Sequence, residues 1–137
     1  MPVDPQAVAQ SMPFARALGI EVTAATPAEV RGRLEWAPER CTTGDVLHGA
    51  ALMALGDTLG AICAFLNLPS GAATTTIESK TNFFRAVREG QVRATARPLH
   101  VGRRVIVVQT DLRDDRQRLV AQVTQTQAVI EPAPPQG

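Results

Sequence analysis

The chain has 137 residues, 14 basic against 13 acidic side chains, a net charge of +1 and 45% hydrophobic residues. This suits one domain with one ordinary core, and so even a charge balance gives no electrostatic basis for a nucleic-acid partner. Cys41 and Cys63 show no metal or redox spacing and suit a reducing compartment; the first twenty residues lack a basic start followed by an apolar run, so no secretory signal is predicted and a cytoplasmic location is expected.

Residues 1–18 are predicted to form a helix that packs over the edge of a sheet. Asp4 is placed to cap it, Pro5 to occupy its first position, and Leu18-Gly19 to end it. Its apolar side would carry Ala7, Val8, Met12, Phe14 and Leu18. From 20 to 36, Ile20, Val22 and Ala24 alternate with polar residues, and after the turn Thr26-Pro27-Ala28-Glu29 so do Val30, Gly32, Leu34 and Trp36. This is the period of a half-buried antiparallel pair. APERCTTGDV, 37–46, is predicted as a loop.

Leu47 to Leu68, LHGAALMALGDTLGAICAFLNL, is predicted to be a long buried helix ended by Asn67, Pro69, Ser70 and Gly71. Four strands follow as a meander: Thr74–Val87, Gln91–Leu99, Val105–Leu112 and Leu119–Ile130, with turns at 100–104 and 114–117. The order implies an α+β domain over 19–130, a six-stranded antiparallel sheet wrapped around a long central helix. The exposed edges of so small a sheet call for cover, and oligomerisation would supply it. EPAPPQG, 131–137, is predicted to be a disordered tail.

The central helix holds one carboxylate, Asp57, in an apolar run. A membrane span would carry that charge at its centre at about 2.5–3.5 kcal/mol on insertion scales; basic flanks are lacking and the rest reads as a soluble sheet, so no membrane is expected. Two readings of Asp57 stay open: pairing inside the fold, or service as a general base or nucleophile. His48-Gly49 stands at the helix start, where free backbone N–H groups can stabilise an oxyanion. Gly49 and Asp57 are eight residues apart, about 12 Å along one helix, so they cannot touch one carbonyl unless a second copy supplies the other residue. Gly56 and Gly60, one turn apart, are read as a place where helix and sheet come close. Arg103 and Arg104, with His100 nearby, could hold phosphates or stand in a solvated turn, as could Arg85 and Arg88. A Cys41–His48 nucleophilic pair lacks an orienting third group. Met53, Phe65, Phe83 and Phe84 could line a pocket, but core packing is the expectation for each.

GDVLHGAALMALGDTLGA, 44–61, resembles the histidine-glycine and acidic-residue pattern of the hotdog-fold acyl-CoA thioesterases, specifically the phenylacetate-degradation (PaaI-like) branch. TTTIESKTNFFRA from Thr74, GRRVIVVQ and LVAQVTQT also match, so the resemblance covers about residues 10–130. It implies that Asp57 is the catalytic acid residue, that the Gly49 N–H polarises the thioester carbonyl, and that His48 supports the site. It implies dimers with composite sites, often paired into tetramers. Ala50 replaces the usual second glycine, and Thr42 stands where many members have asparagine. Thr75 lies about where some relatives place a hydroxyl that orients water.

The function expected is hydrolysis of an acyl-CoA to a carboxylic acid and CoA in a homodimer or homotetramer. Thr42, Thr75, Arg103 and Arg104 would contact substrate. No metal or cofactor is expected, because the thiolate is a good leaving group. The alternative is a non-catalytic acyl-CoA-binding or sensor module on the same fold.

Overall fold

A computed structural model describes residues 3–134. The N-terminal segment folds as two helices rather than the single one expected: α1, Pro5–Gln10, and α2, Pro13–Leu18. The break falls at Pro13, which lacks the N–H needed to continue α1 and instead opens α2. Asp4 caps α1 by accepting from the Gln6 N–H, and Gly19, at φ 89°, ends α2 in the left-handed conformation.

Two strands follow, β1 (Glu21–Ala25) and β2 (Val30–Glu35). The predicted loop contains a one-turn 3-10 helix, Pro38–Arg40, and a two-residue ribbon made of β3 (Cys41–Thr42) and β4 (Val46–Leu47). The central helix α3 runs Gly49–Leu66, shorter at each end than the apolar run. His48 is its cap, and the Asn67 carboxamide donates to the carbonyls of Cys63 and Pro27. Then come β5 (Ala73–Phe83), β6 (Gln91–Val101), β7 (Val105–Arg113) and β8 (Leu119–Ile130).

The six long strands form one antiparallel sheet in the order β1-β2-β6-β7-β8-β5, and α3 packs against every one of them. This is the hotdog fold. The meander expectation needs correction. Of the four strands after α3, only β6, β7 and β8 pair in sequence; β5 pairs with β8 alone and stands at the sheet edge. The cause lies after Phe83, where the expected strand stops four residues short of Val87. The Phe84 N–H bonds the Val120 carbonyl, and residues 84–90 carry the chain across the sheet to β6. Beyond β8, residues 131–134 have no regular structure, and the rest of the predicted disordered tail lies outside the described residues.

Leu55 and Leu59 of α3 meet Leu34, Val92, Ile106, Val108 and Leu112 of the sheet, all fully buried. Gly56 and Gly60 face the same way. A Cβ at Gly56 would come within 2.4 Å of a Val123 methyl, and one at Gly60 within 1.9 Å of the Gln125 carboxamide oxygen, so these positions admit only glycine without repacking. α3 is long and apolar enough to cross a membrane by length and composition, but just over half of it is buried in this core.

Candidate active site

The start of α3 is held from three sides. Leu47 N–H donates to the Val87 carbonyl and His48 N–H to the Arg40 carbonyl. The Arg40 guanidinium donates in turn to the carbonyls of Leu18 (2.5 Å) and Glu35 (3.0 Å), tying α2 and β2 to the segment that precedes α3. At the helix end His48 takes up most of the free donors. Its Nδ1 accepts from the Ala50 N–H at 3.0 Å, and its carbonyl accepts from Ala51 at 2.9 Å and Leu52 at 3.3 Å. An accepting Nδ1 places the ring proton on Nε2. The Gly49 N–H is left without a partner among the described residues. It sits at the positive end of an 18-residue helix. The Phe83 ring lies beside Gly49, within 3.2 Å of where its Cβ would be.

Asp57 does not lie in the core. It occupies the face of α3 turned away from the sheet, and among the described residues it has neither a hydrogen bond nor an ion pair. The helical period explains this. Leu55, Gly56, Thr58 and Leu59 meet the sheet, while Ala50, Met53, Asp57 and Phe65 fall on the far side. Although Asp57 keeps access to solvent, desolvation by its apolar surroundings pushes its carboxyl above the usual carboxylate range. Pairing inside the fold is therefore not how this chain accommodates the charge.

The expectation for four large side chains needs correction as well. Met53, Phe65, Phe83 and Phe84 are 45%, 62%, 50% and 54% exposed, not core residues. Beside them runs β5, exposed along nearly its whole length, with its outer edge unpaired and Ile77 bulged outward at 62% exposure.

The other anticipated residues fall in separate places. Thr42 is exposed on β3, opposite Val46 and close to the start of α3. Thr74 and Thr76 point to the helix side of the sheet, where both hydroxyls bond the buried Gln127 carboxamide. Thr75 therefore points to the opposite face, beside Ala128. Arg103 and Arg104 stand exposed in the β6–β7 turn, at the end of the sheet shared with Ala73 and Ile130. Gly49 lies beside Phe83, at the other end of β5, so one chain does not bring its own Arg103 and Arg104 to its own Gly49. The Cys41 thiol donates to the Ala37 carbonyl, and desolvation followed by the charges of Asp45 and Glu39 raises its pKa. With His48 Nδ1 already engaged, no Cys–His nucleophile is formed. Two contributors escaped the sequence reading. Neither Phe83 as the neighbour of Gly49 nor Arg40 as an anchor left a signal in the sequence.

Residues 44–121 match the family model described as Thioesterase superfamily. The chain belongs to the Thioesterase superfamily. The matched span opens with the loop before α3 and includes both Gly49 and Asp57. The chain is 31% identical over 123 residues to a Mycobacterium tuberculosis protein named "Putative esterase", with 88% of each covered. It is 32% identical over 85 residues, 62% of each, to the Escherichia coli 1,4-dihydroxy-2-naphthoyl-CoA hydrolase. A solved structure of a Haemophilus influenzae thioesterase superposes at a TM-score of 0.89 with 27% identity, covering 96% of this chain and 93% of that one. This thioesterase-superfamily chain is a thioester hydrolase on a hotdog fold.

Proposed function

We propose that the substrate is an acyl-CoA and that the working unit is a dimer in which Gly49 of one copy and Asp57 of the other serve one thioester. The carrying observation is the state of α3. Among the described residues the Gly49 N–H is free at its start, and about 12 Å further on, too far for a shared carbonyl, Asp57 is an unpartnered carboxylate on the outward face.

The thioester oxygen accepts from the Gly49 N–H, which strengthens as negative charge develops there. The second copy's Asp57 takes a proton from water as the water oxygen attacks the carbonyl carbon. The tetrahedral intermediate collapses, the C–S bond breaks and the CoA thiolate leaves to be protonated. A carboxylic acid and CoA result. The raised pKa of Asp57 favours the base role, because it makes the carboxylate a better proton acceptor. His48 holds the helix start and spends its neighbours' donors so that Gly49 keeps its own. Dimerisation is supported by the unpaired β5 edge and the exposed apolar residues beside Asp57. The His48-Gly49…Asp57 pattern supports the PaaI-like branch, and the free thiols of Cys41 and Cys63 support a cytoplasmic setting.

A mixing experiment tests this. Gly49→Pro removes the N–H at a position where proline suits a helix, and His48, at φ −62° and ψ 135°, already has the backbone a following proline requires. Asp57→Asn removes the base. Each homodimer should lose about 10²–10³-fold in thiol release from acyl-CoA. Mixed by refolding, the two should regain about a quarter of wild-type activity, because a heterodimer holds one intact composite site. No regain rejects the shared site. Full activity of Asp57→Asn rejects the base. CoA-ester binding by the wild type without turnover points instead to the binding or sensor module.

A further inference from the structure

Between the N-terminal helices and the outward face of α3 lies an apolar cleft of about 330 Å³, walled by Val8 and Met12 on one side and by Ala61, Ile62 and Phe65 on the other. Ala61 and Phe65 follow Asp57 by four and eight residues, so the cleft opens about 6 Å beyond the carboxylate and reaches about 12 Å from it. Among the described residues no charged side chain lines it. Its two hydroxyls have their protons committed elsewhere. Ser11 donates to the Val8 carbonyl at 2.7 Å, and Thr74 is held by the Ala128 carbonyl at 2.8 Å and the Gln127 carboxamide oxygen at 3.1 Å.

We propose that this cleft holds the acyl group, and that the enzyme selects uncharged apolar acyl chains that reach one to two helical turns past the reacting carbonyl. The inference rests on the placement of the thioester beside Asp57. An acyl group as short as acetyl stops before the cleft and gains nothing from it. A chain ending in a carboxylate would bury that charge among Ala61, Ile62 and Met12 with no cation to meet it. A medium straight chain, of about the octanoyl length, fills the cleft and exchanges water for apolar surface.

The experiment uses the full chain and measures thiol release from acetyl-, octanoyl- and glutaryl-CoA. Octanoyl-CoA should exceed both others in kcat/KM by at least about tenfold. Ala61→Leu and, from the opposite wall, Met12→Trp should each lower the octanoyl-to-acetyl ratio by about tenfold or more, with folding checked by thermal melting. The inference is overturned if the wild type prefers acetyl- or glutaryl-CoA. It is likewise overturned if folded fill-in variants keep the wild-type ratio, or if they change only the association state, which would assign the cleft to the contact between copies. Should neither variant fold, the wild-type panel decides alone. Turnover that needs Asp57 but shows the wrong selectivity rejects the cleft and leaves the Asp57 reading intact; no turnover on any of the three esters rejects both.

Discussion

The two faces of α3 obey opposite rules. On the sheet side, Leu55, Gly56, Leu59 and Gly60 are fully enclosed, and the space is so tight that a single methyl at Gly56 or Gly60 would collide with β8. On the outward side, Met53, Asp57 and Phe65 keep solvent contact, and the one carboxylate of the helix has no partner among the described residues. The first face holds the domain together. The second is open to solvent, and the chemistry is proposed to lie there. A helix that must serve both ends has to be apolar nearly all round, which is why its sequence resembles a membrane span.

Changes on the two faces should therefore separate stability from activity. The largest effect belongs to Asp57→Asn, with a loss in kcat of about 10²–10³-fold and no loss of melting temperature. The sign follows from the raised pKa. The folded state holds the Asp57 proton more tightly than the unfolded state, so the ionised group opposes folding at neutral pH; that penalty shrinks as pH falls through the folded pKa and is gone below the unfolded one. A neutral Asn should leave the fold as stable or more so at neutral pH. In the wild type the acid limb of kcat/KM should lie above the ordinary Asp value of about 3.9. A lower melting temperature for Asp57→Asn would show that the carboxylate serves the fold after all.

Leu59→Ala on the enclosed face comes next, at about 2–5 kcal/mol in urea denaturation, because it leaves a cavity beneath the sheet. Gly56→Ala should cost about 1–3 kcal/mol, since Val123 is β-branched and cannot swing away from the added methyl. A neutral result there would mean that the helix can shift outward, and the contrast between the faces would weaken. The smallest effect on the isolated chain belongs to Met53→Gln, within about 0.5 kcal/mol at high dilution. Its signature should instead be easier dissociation of the proposed dimer, read from the protein concentration dependence of mass by light scattering. An unchanged dissociation curve would remove Met53 from the proposed contact.

Much of this was legible along the chain. The strand periods of Val30–Leu34 and Gln91–Leu99, the end of the long helix at Asn67, and the His48-Gly49…Asp57 spacing all depend on neighbours within a few residues, and the structure keeps them. The place of β5 was not legible. Its sequence predicts a strand, but whether it pairs with β6 or with β8 depends on how residues 84–90 cross the sheet, and pairing across many residues leaves no local mark. The exposure of Phe83 and Phe84 followed from the same crossing.

Sequence by itself determined that one apolar helix would lie against an antiparallel sheet, and that its two candidate catalytic groups stood too far apart to act together in one copy. Both are matters of period and rise along a single element. Tertiary structure alone decided which side of that helix Asp57 occupies, which helix-start N–H remains free, and that Arg103 and Arg104 lie at the far end from Gly49. Those depend on where the sheet sits around the helix, and on a histidine that satisfies its neighbours' donors while leaving one unsatisfied.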